Sequence, residues 1–225
     1  MKSIVFDAST LISFSMNGLY DVLEKLRGIF DGKFLITKEV RYEIIDRPIT
    51  IKKFELEALY LKQLIEKKVF ELPSSLGIDE KEISNRTQKV LEVANSSFYS
   101  GRENIKILDL GEASCMALSR MLDEKKISSI MAVDERTMRM LGEKPENLSK
   151  LLSDKLHTSI KPNRENFNFF KSLKFVRSAE LVYVAYKKNL IKLGNGDLLD
   201  ALLYAVKFKG CAISNEEIEE IKRMK

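Results

Sequence analysis

Acidic residues end two short apolar runs of the sequence. The run at 3–6 ends at Asp7, and the run at 129–133 ends at Asp134, which Glu135 follows. Both runs predict buried strands. Parallel strands present their carboxyl ends at one edge of a sheet, where open α/β sheets bind their ligands. We therefore expect Asp7 and Asp134 to face one cleft; the alternative is that each only caps the helix that follows it.

Two glutamates are candidates for the same cleft. Glu112 falls in the first turn of a predicted helix capped by Asp109, and Gly111 beside it permits close approach of neighbouring backbone. The structural alternative for Glu112 is a capping box. Glu43 lies on the helix after the second predicted strand, where the alternative is the edge of a polar face. Asp109 and Glu135 are further candidates because they lie at the same sheet edge.

Carboxylates crowded into one cleft repel one another unless protons bind or a cation neutralises them. Mg²⁺ or Mn²⁺ suits such a cleft, because a hard divalent ion takes oxygen ligands and keeps water positions that a phosphate oxygen can occupy. Such an ion activates water and stabilises the charges of an in-line displacement. The sequence therefore favours metal-dependent phosphodiester hydrolysis. The predicted catalytic and metal-binding residues are Asp7, Glu43, Glu112 and Asp134, with Glu135 as an additional metal ligand.

Other chemistries are disfavoured by what the sequence lacks. It contains neither a GxGxxG nor a GxxxxGK[ST] motif, so a dinucleotide or P-loop site is not expected. Asp7-Ala8-Ser9 lacks the second aspartate that haloacid-dehalogenase-type phosphatases place two residues on. The single histidine, His157, lies in a polar stretch and is expected to be exposed, which argues against a Ser-His-Asp apparatus.

The elements that must position these acids alternate along the chain, which predicts an α/β fold: three α/β/α layers with a central, mainly parallel sheet. Further strands are predicted at 34–36 and 173–176, and a brief apolar run lies at 69–72. Helices are predicted at 11–26, 51–67, 80–97, 110–122, 179–191 and 197–208, with a last one capped by Ser214 and Glu217.

We predict one domain over 1–225, with a polar insertion at 143–172 that carries Phe167, Phe169 and Phe170. The two cysteines lack metal-site spacing and are expected to be buried thiols. A formal charge of +5 favours a polyanionic partner only mildly. With neither a signal peptide nor an apolar membrane segment in the sequence, we expect a cytoplasmic protein without membrane contact.

Four segments of the chain resemble the acidic motifs of PIN-domain ribonucleases, in order and in spacing. The tail, from FVRSAELVYVAYKKNLI through LLDALLYAVKFKGCAIS, is similar to the last strand and closing helices of that family. The resemblance covers most of the chain except about 76–106 and the insertion. The four segments are IVFDASTLI, LITKEVRYEII, LDLGEASCMALS and IMAVDERTMRML.

This resemblance implies a metal-dependent endonuclease of single-stranded RNA, with the acidic cluster Asp7, Glu43, Glu112 and Asp134. It also suggests a substrate or metal contact for Ser9, and phosphate contacts for Arg136 and Arg139, for which the alternative is a solvated helix face. Val133 stands where the family often has a hydroxyl residue, which leaves open whether Asp134 or Glu135 is the ligand. Family members commonly form homodimers.

Three other functions fit parts of the pattern. A catalytically silent module would bind RNA or a protein, with the three phenylalanines of the insertion stacking on bases or packing on the core. A toxin would be silenced by an antitoxin-like protein partner, although this chain is longer than the compact toxins. A metal-dependent phosphatase would hydrolyse small phosphate esters instead of RNA.

Overall fold

A parallel sheet forms the centre of the protein, seen in a computed structural model that describes residues 1–193 and 197–224. Its strands run in the spatial order β2-β1-β5-β7. A second, antiparallel sheet has the order β4-β3-β6. The strands are Lys2–Phe6 (β1), Lys33–Leu35 (β2), Phe98–Ser100 (β3), Glu103–Asn104 (β4), Ser128–Ala132 (β5), Lys161–Pro162 (β6) and Phe175–Val176 (β7).

Helices flank the central sheet, so the α/β architecture expected from the sequence is confirmed. No described helix has the length and apolarity needed to cross a membrane. The α-helices are Ala8–Met16 (α1), Tyr20–Ile29 (α2), Lys38–Arg41 (α3), Glu55–Glu66 (α4), Glu80–Ala94 (α5), Leu110–Glu124 (α6), Arg136–Glu143 (α7), Pro145–Leu156 (α8), Ser178–Lys187 (α9), Leu198–Phe208 (α10) and Asn215–Arg223 (α11).

Strands β1 and β5 lie side by side at the middle of the sheet and in register, from Lys2 opposite Ser128 to Phe6 opposite Ala132. Side chains on both faces of β1 are buried from Ser3 to Phe6, as expected for a parallel strand covered by helices on each side. The register brings the ends of the two strands level with each other. The residues that follow them therefore emerge at one edge of the sheet.

Two predicted elements differ in the structure. The apolar pattern at 11–26 is divided between α1 and α2, because Gly18 adopts a left-handed φ of +65° and ends the first helix. The apolar run at 69–72 forms only one isolated bridge, between Leu35 and Glu71. Pro73 follows at once, and its missing N–H donor prevents a longer ladder.

The segment 143–172 packs against the rest of the chain through α8, β6 and a 3-10 helix at Arg164–Phe170. Phe167 and Phe170 are buried, and the guanidinium of Arg120 covers the ring of Phe169 at 3.9 Å. Stacking of Phe167 and Phe170 on bases is thus contradicted, and both support the core. His157 is exposed, as expected, and both cysteines are buried thiols.

Candidate active site

Asp7 follows β1 and is held in place from two sides. Its backbone N–H donates to the Ala132 carbonyl at 3.0 Å, which ties it to the end of β5. Its Oδ2 accepts from the backbone N–H of Ser9 at 3.0 Å and from the Ser9 hydroxyl at 2.6 Å. Asp7 therefore caps α1, as the alternative interpretation of the sequence proposed, and only 2% of the residue is exposed.

Ser9 links the two strand ends. While its hydroxyl donates to Asp7, it accepts the backbone N–H of Asp134 at 3.1 Å. The predicted meeting of Asp7 and Asp134 at one sheet edge is present at the level of the backbone. The Ser9 hydroxyl therefore orients Asp7, and the predicted contact of this half-buried residue with substrate or metal stays a prediction.

The carboxyl group of Asp134 is directed into the interior. It is fully buried, and its Oδ1 accepts the backbone N–H of Ser178, at the start of α9, at 2.7 Å. Burial raises its pKa, while the bond from the Ser178 N–H opposes that rise. The Asp134 carbonyl accepts the backbone N–H of Ala212 at 3.1 Å. Asp134 thus joins β5 to two distant parts of the chain through Oδ1 and its backbone carbonyl, while its buried Oδ2 has no hydrogen-bond partner within the described residues.

Glu43 lies in a π-helical turn, Tyr42–Asp46, that directly continues α3. Such turns insert one residue into a helix and are frequent at functional sites. The start of α3 is fixed by Thr37, whose hydroxyl caps it and also shares a 2.7 Å hydrogen bond with the Ser114 hydroxyl of α6. These contacts hold Glu43 against the first turn of α6.

Gly111 provides the space that Glu43 occupies. A Cβ atom added at Gly111 would lie 2.5 Å from Oε1 of Glu43, which is closer than such contacts allow. Burial raises the pKa of this carboxylate, and the Gly111 N–H opposes part of that rise. Neighbouring backbone was expected to approach this glycine closely, whereas the group that approaches is the side chain of Glu43.

We expect Gly111→Ala to displace the Glu43 carboxylate and to reduce strongly the metal-dependent phosphodiester hydrolysis that the sequence predicts. The added methyl group forces the carboxylate away from the turn, while alanine is favoured over glycine within a helix by about 1 kcal/mol. Circular dichroism should show an intact helical fold. The matched control is Gly28→Ala in α2, where an added Cβ meets nothing within 4 Å. Equal activity of the two variants would show that the position of Glu43 is unimportant.

Glu112 completes this first turn of α6. Its Oε2 accepts the backbone N–H of Asp109 at 2.8 Å, the capping bond expected from the sequence. Burial raises its pKa to about 8, and repulsion by Asp7, Glu135 and Asp109 adds to that rise. The Asp109 carboxylate is largely exposed and pairs with Lys106, so it lies at the rim of the group.

Asp7, Glu43, Glu112 and Glu135 form what we call the acidic cluster. Burial and then repulsion from Asp7 raise the pKa of Glu43, and Glu135 contributes to the raised pKa of Asp7. In the described part of the chain, no ion pair includes any of the four. The cluster is therefore a set of mutually repelling carboxylates that no side-chain cation neutralises.

The chemistry of this donor set fits a hard divalent cation, because every ligand atom it offers is a carboxylate oxygen. Within residues 1–193 and 197–224, no three acidic, histidine or cysteine side chains lie close enough together to hold one ion as they stand. Binding of an ion would therefore require the carboxylates of the acidic cluster to move closer to one another. Glu135, which caps α7 by accepting the Met138 N–H at 2.7 Å, is held at the helix start beside the cluster.

The two arginines predicted to contact phosphate lie on α7, directly after Glu135. Arg136 is exposed, while Arg139 is half-buried and donates to the Ala212 carbonyl at 3.0 Å. No local sequence pattern indicated Ser178 or Ala212, which orient Asp134 and Arg139 from a distant part of the chain. No protein-family profile, curated protein or solved structure matches the chain, and the likeness to PIN-domain ribonucleases rests on its sequence motifs.

Proposed function

We propose that the protein is a Mg²⁺- or Mn²⁺-dependent endoribonuclease that hydrolyses phosphodiester bonds of single-stranded RNA. The observation that supports this best is the acidic cluster, in which burial and repulsion raise the pKa values of Asp7, Glu43 and Glu112 and no side-chain cation pairs with them in the described residues. Such an arrangement is costly for the folded protein unless protons or a cation bind. A cation that binds between the carboxylates would offset this cost and could also take part in catalysis.

Asp7, Glu43, Glu112 and Glu135 would hold the ion, which when bound supplies an activated water and stabilises charge on the phosphate. Ser9 keeps Oδ2 of Asp7 oriented, and the Asp109 N–H orients Glu112. Gly111 leaves room for the Glu43 carboxylate. Glu135 takes the place in this proposal that the sequence assigned to Asp134, since the Asp134 carboxyl is bonded to Ser178 in the interior.

The choice of a nucleic acid over a small phosphate ester is supported by charge near the cluster. Arg136 follows Glu135 directly and is exposed, where its guanidinium can contact a phosphate flanking the one that is cut. A small ester has no flanking phosphate. The single-stranded RNA substrate follows from the resemblance to PIN-domain ribonucleases.

Asp7→Asn is expected to abolish metal-dependent cleavage and leave the fold intact. Asparagine caps a helix as well as aspartate does and still accepts the two Ser9 bonds, but it is a poor ligand for a hard cation. The assay is cleavage of end-labelled single-stranded RNA with Mn²⁺, Mg²⁺ or EDTA. We expect cutting with the metals, none with EDTA, and a loss of at least about 100-fold in the variant.

Asp79→Asn is the matched control, because Asp79 caps α5 through the same type of bond, to the Lys81 N–H at 3.0 Å, and lies outside the cluster. Equal cutting by the Asp7 and Asp79 variants would overturn the site. Folded wild-type protein that cuts RNA with neither metal would contradict the enzyme and favour the silent binding module. Hydrolysis of p-nitrophenyl phosphate without cutting of RNA would favour the phosphatase.

A further inference from the structure

A polar groove of about 820 Å³ lies between α7, α8 and the start of α11. Four basic side chains line it: Arg136 and Arg139 from α7, Lys144 from the junction of the two helices, and Lys150 from α8. Asn147 lies one helical turn before Lys150, so both point to the same side of α8. The groove is thus formed largely by the segment 143–172 and the helix that leads into it.

The positive charge of this groove is only partly compensated. Within the described residues, none of its four basic side chains forms an ion pair. Three carboxylates also line the groove, Glu143, Asp154 and Glu217, but Glu217 is already bound by Arg177 at 2.7 Å. Cations therefore outnumber the carboxylates that remain to balance them, as expected for a surface that binds an anion.

The groove begins where the acidic cluster ends. Arg136 is the neighbour of Glu135, and Ala212 in the groove wall donates its N–H to the Asp134 carbonyl at 3.1 Å. Arg139 is held by its bond to the Ala212 carbonyl, so its charge has a fixed place in the wall. Arg136 in the groove lining thus directly follows Glu135 of the acidic cluster in the chain.

We propose that this groove binds the sugar-phosphate backbone of the RNA strand beside the phosphate that is cut, with Lys144, Asn147 and Lys150 as contacts. The inference rests on the proposed function for the nature of the chain that passes. Lysine and arginine fix a strand through its phosphates without reading its sequence. The segment 143–172 would then determine how firmly substrate is held, while the acidic cluster carries out the cut.

The test measures binding apart from cutting. A labelled single-stranded oligouridylate of about 16 nucleotides is titrated with protein in EDTA over a range of salt concentrations. Lys144→Gln/Lys150→Gln should weaken binding about 25-fold at about 0.1 M salt and reduce the slope of log K against log salt by about 1.4. Both lysines are exposed, so the fold is expected to survive. Lys62→Gln/Lys81→Gln removes the same charge from exposed positions on α4 and α5, outside the groove, and should change neither quantity.

Equal binding by both double variants, or no binding by the wild type, would overturn the groove as an RNA site. Competition by polyglutamate as strong as by unlabelled RNA would also overturn it and indicate an acidic peptide. Cutting is measured separately with Mn²⁺. If the wild type binds RNA through the groove but never cuts it, the proposed function fails while this inference stands. If the lysine variants cut and bind RNA normally, this inference fails while the proposed function stands.

Discussion

Glu112→Gln is expected to stabilise the metal-free protein at neutral and mildly alkaline pH and, in the same variant, to remove metal-dependent cutting. The ionised carboxylate is buried and repelled by Asp7 and Glu135, so its charge opposes folding. Glutamine has the same shape and can still accept the Asp109 N–H, which preserves the capping bond. A buried carboxylate that destabilises the metal-free protein is the kind of side chain that a bound cation would stabilise.

The direction of the pH dependence follows from the raised pKa. Glu112 has a pKa of about 8 in the folded protein against an ordinary 4.5, so the folded state binds its proton more tightly than the unfolded state does. This contribution is fully favourable below about pH 4.5 and is lost as the pH rises toward 8. The part of the stability that Glu112 contributes should fall by roughly 5 kcal/mol over that interval in wild-type protein in EDTA, and Glu112→Gln should lack this part of the pH dependence.

The measurement is chemical denaturation in EDTA at several pH values, repeated with Mn²⁺. Mn²⁺ should stabilise the wild type by mass action and leave the variant almost unchanged. Glu217→Gln is the matched control, and its effect on stability should have the opposite sign. Glu217 holds the same capping position in α11, but the Ser214 N–H and Arg177 outweigh burial and lower its pKa. That variant should be less stable than the wild type above the ordinary pKa of glutamate. A Glu112→Gln protein less stable than wild type at about pH 8 in EDTA would contradict the repulsion inferred here.

The placement of Asp7 and Glu112 could be predicted because the signals are local. Asp7 ends an apolar run that is buried on both faces, and Glu112 follows a helix cap by three residues. Strand ends and helix caps depend on a few neighbouring residues and on backbone geometry. The small residue at Gly111 similarly indicated a close approach before the approaching group was known.

The choice between Asp134 and Glu135 could not be made locally. Adjacent residues after a strand point in different directions, and the acid that faces the interior is held there by Ser178, more than 40 residues further along the chain. The π-helical turn that carries Glu43 has no sequence signature of its own either. The turn packs against α4 and α1, which lie on either side of it in the sequence. Tertiary contacts of this kind are not encoded in a local pattern.

The two neighbouring acids should behave in opposite ways when each loses its charge. Glu135→Gln is expected to lower cutting by at least about 100-fold with little change in stability, since glutamine can keep the Met138 capping bond. Asp134→Asn should retain cutting within about tenfold, because the Asn Oδ1 still accepts the Ser178 N–H. Burial raises the pKa of Asp134, so removal of its charge should not destabilise the protein at neutral pH.

Asp134→Ala separates the positioning role from the charge. Without an acceptor, the buried Ser178 N–H is left unpaired, which costs on the order of 1–3 kcal/mol. Asp134→Ala should therefore unfold at lower denaturant than Asp134→Asn, while Mn²⁺ affinity measured by calorimetry remains in both and is lost in Glu135→Gln. If Asp134→Asn lost Mn²⁺ binding while Glu135→Gln kept it, Asp134 would be the ligand. Its Oδ2, which has no hydrogen-bond partner within the described residues, would then be the ligand atom, while Oδ1 could keep the Ser178 bond.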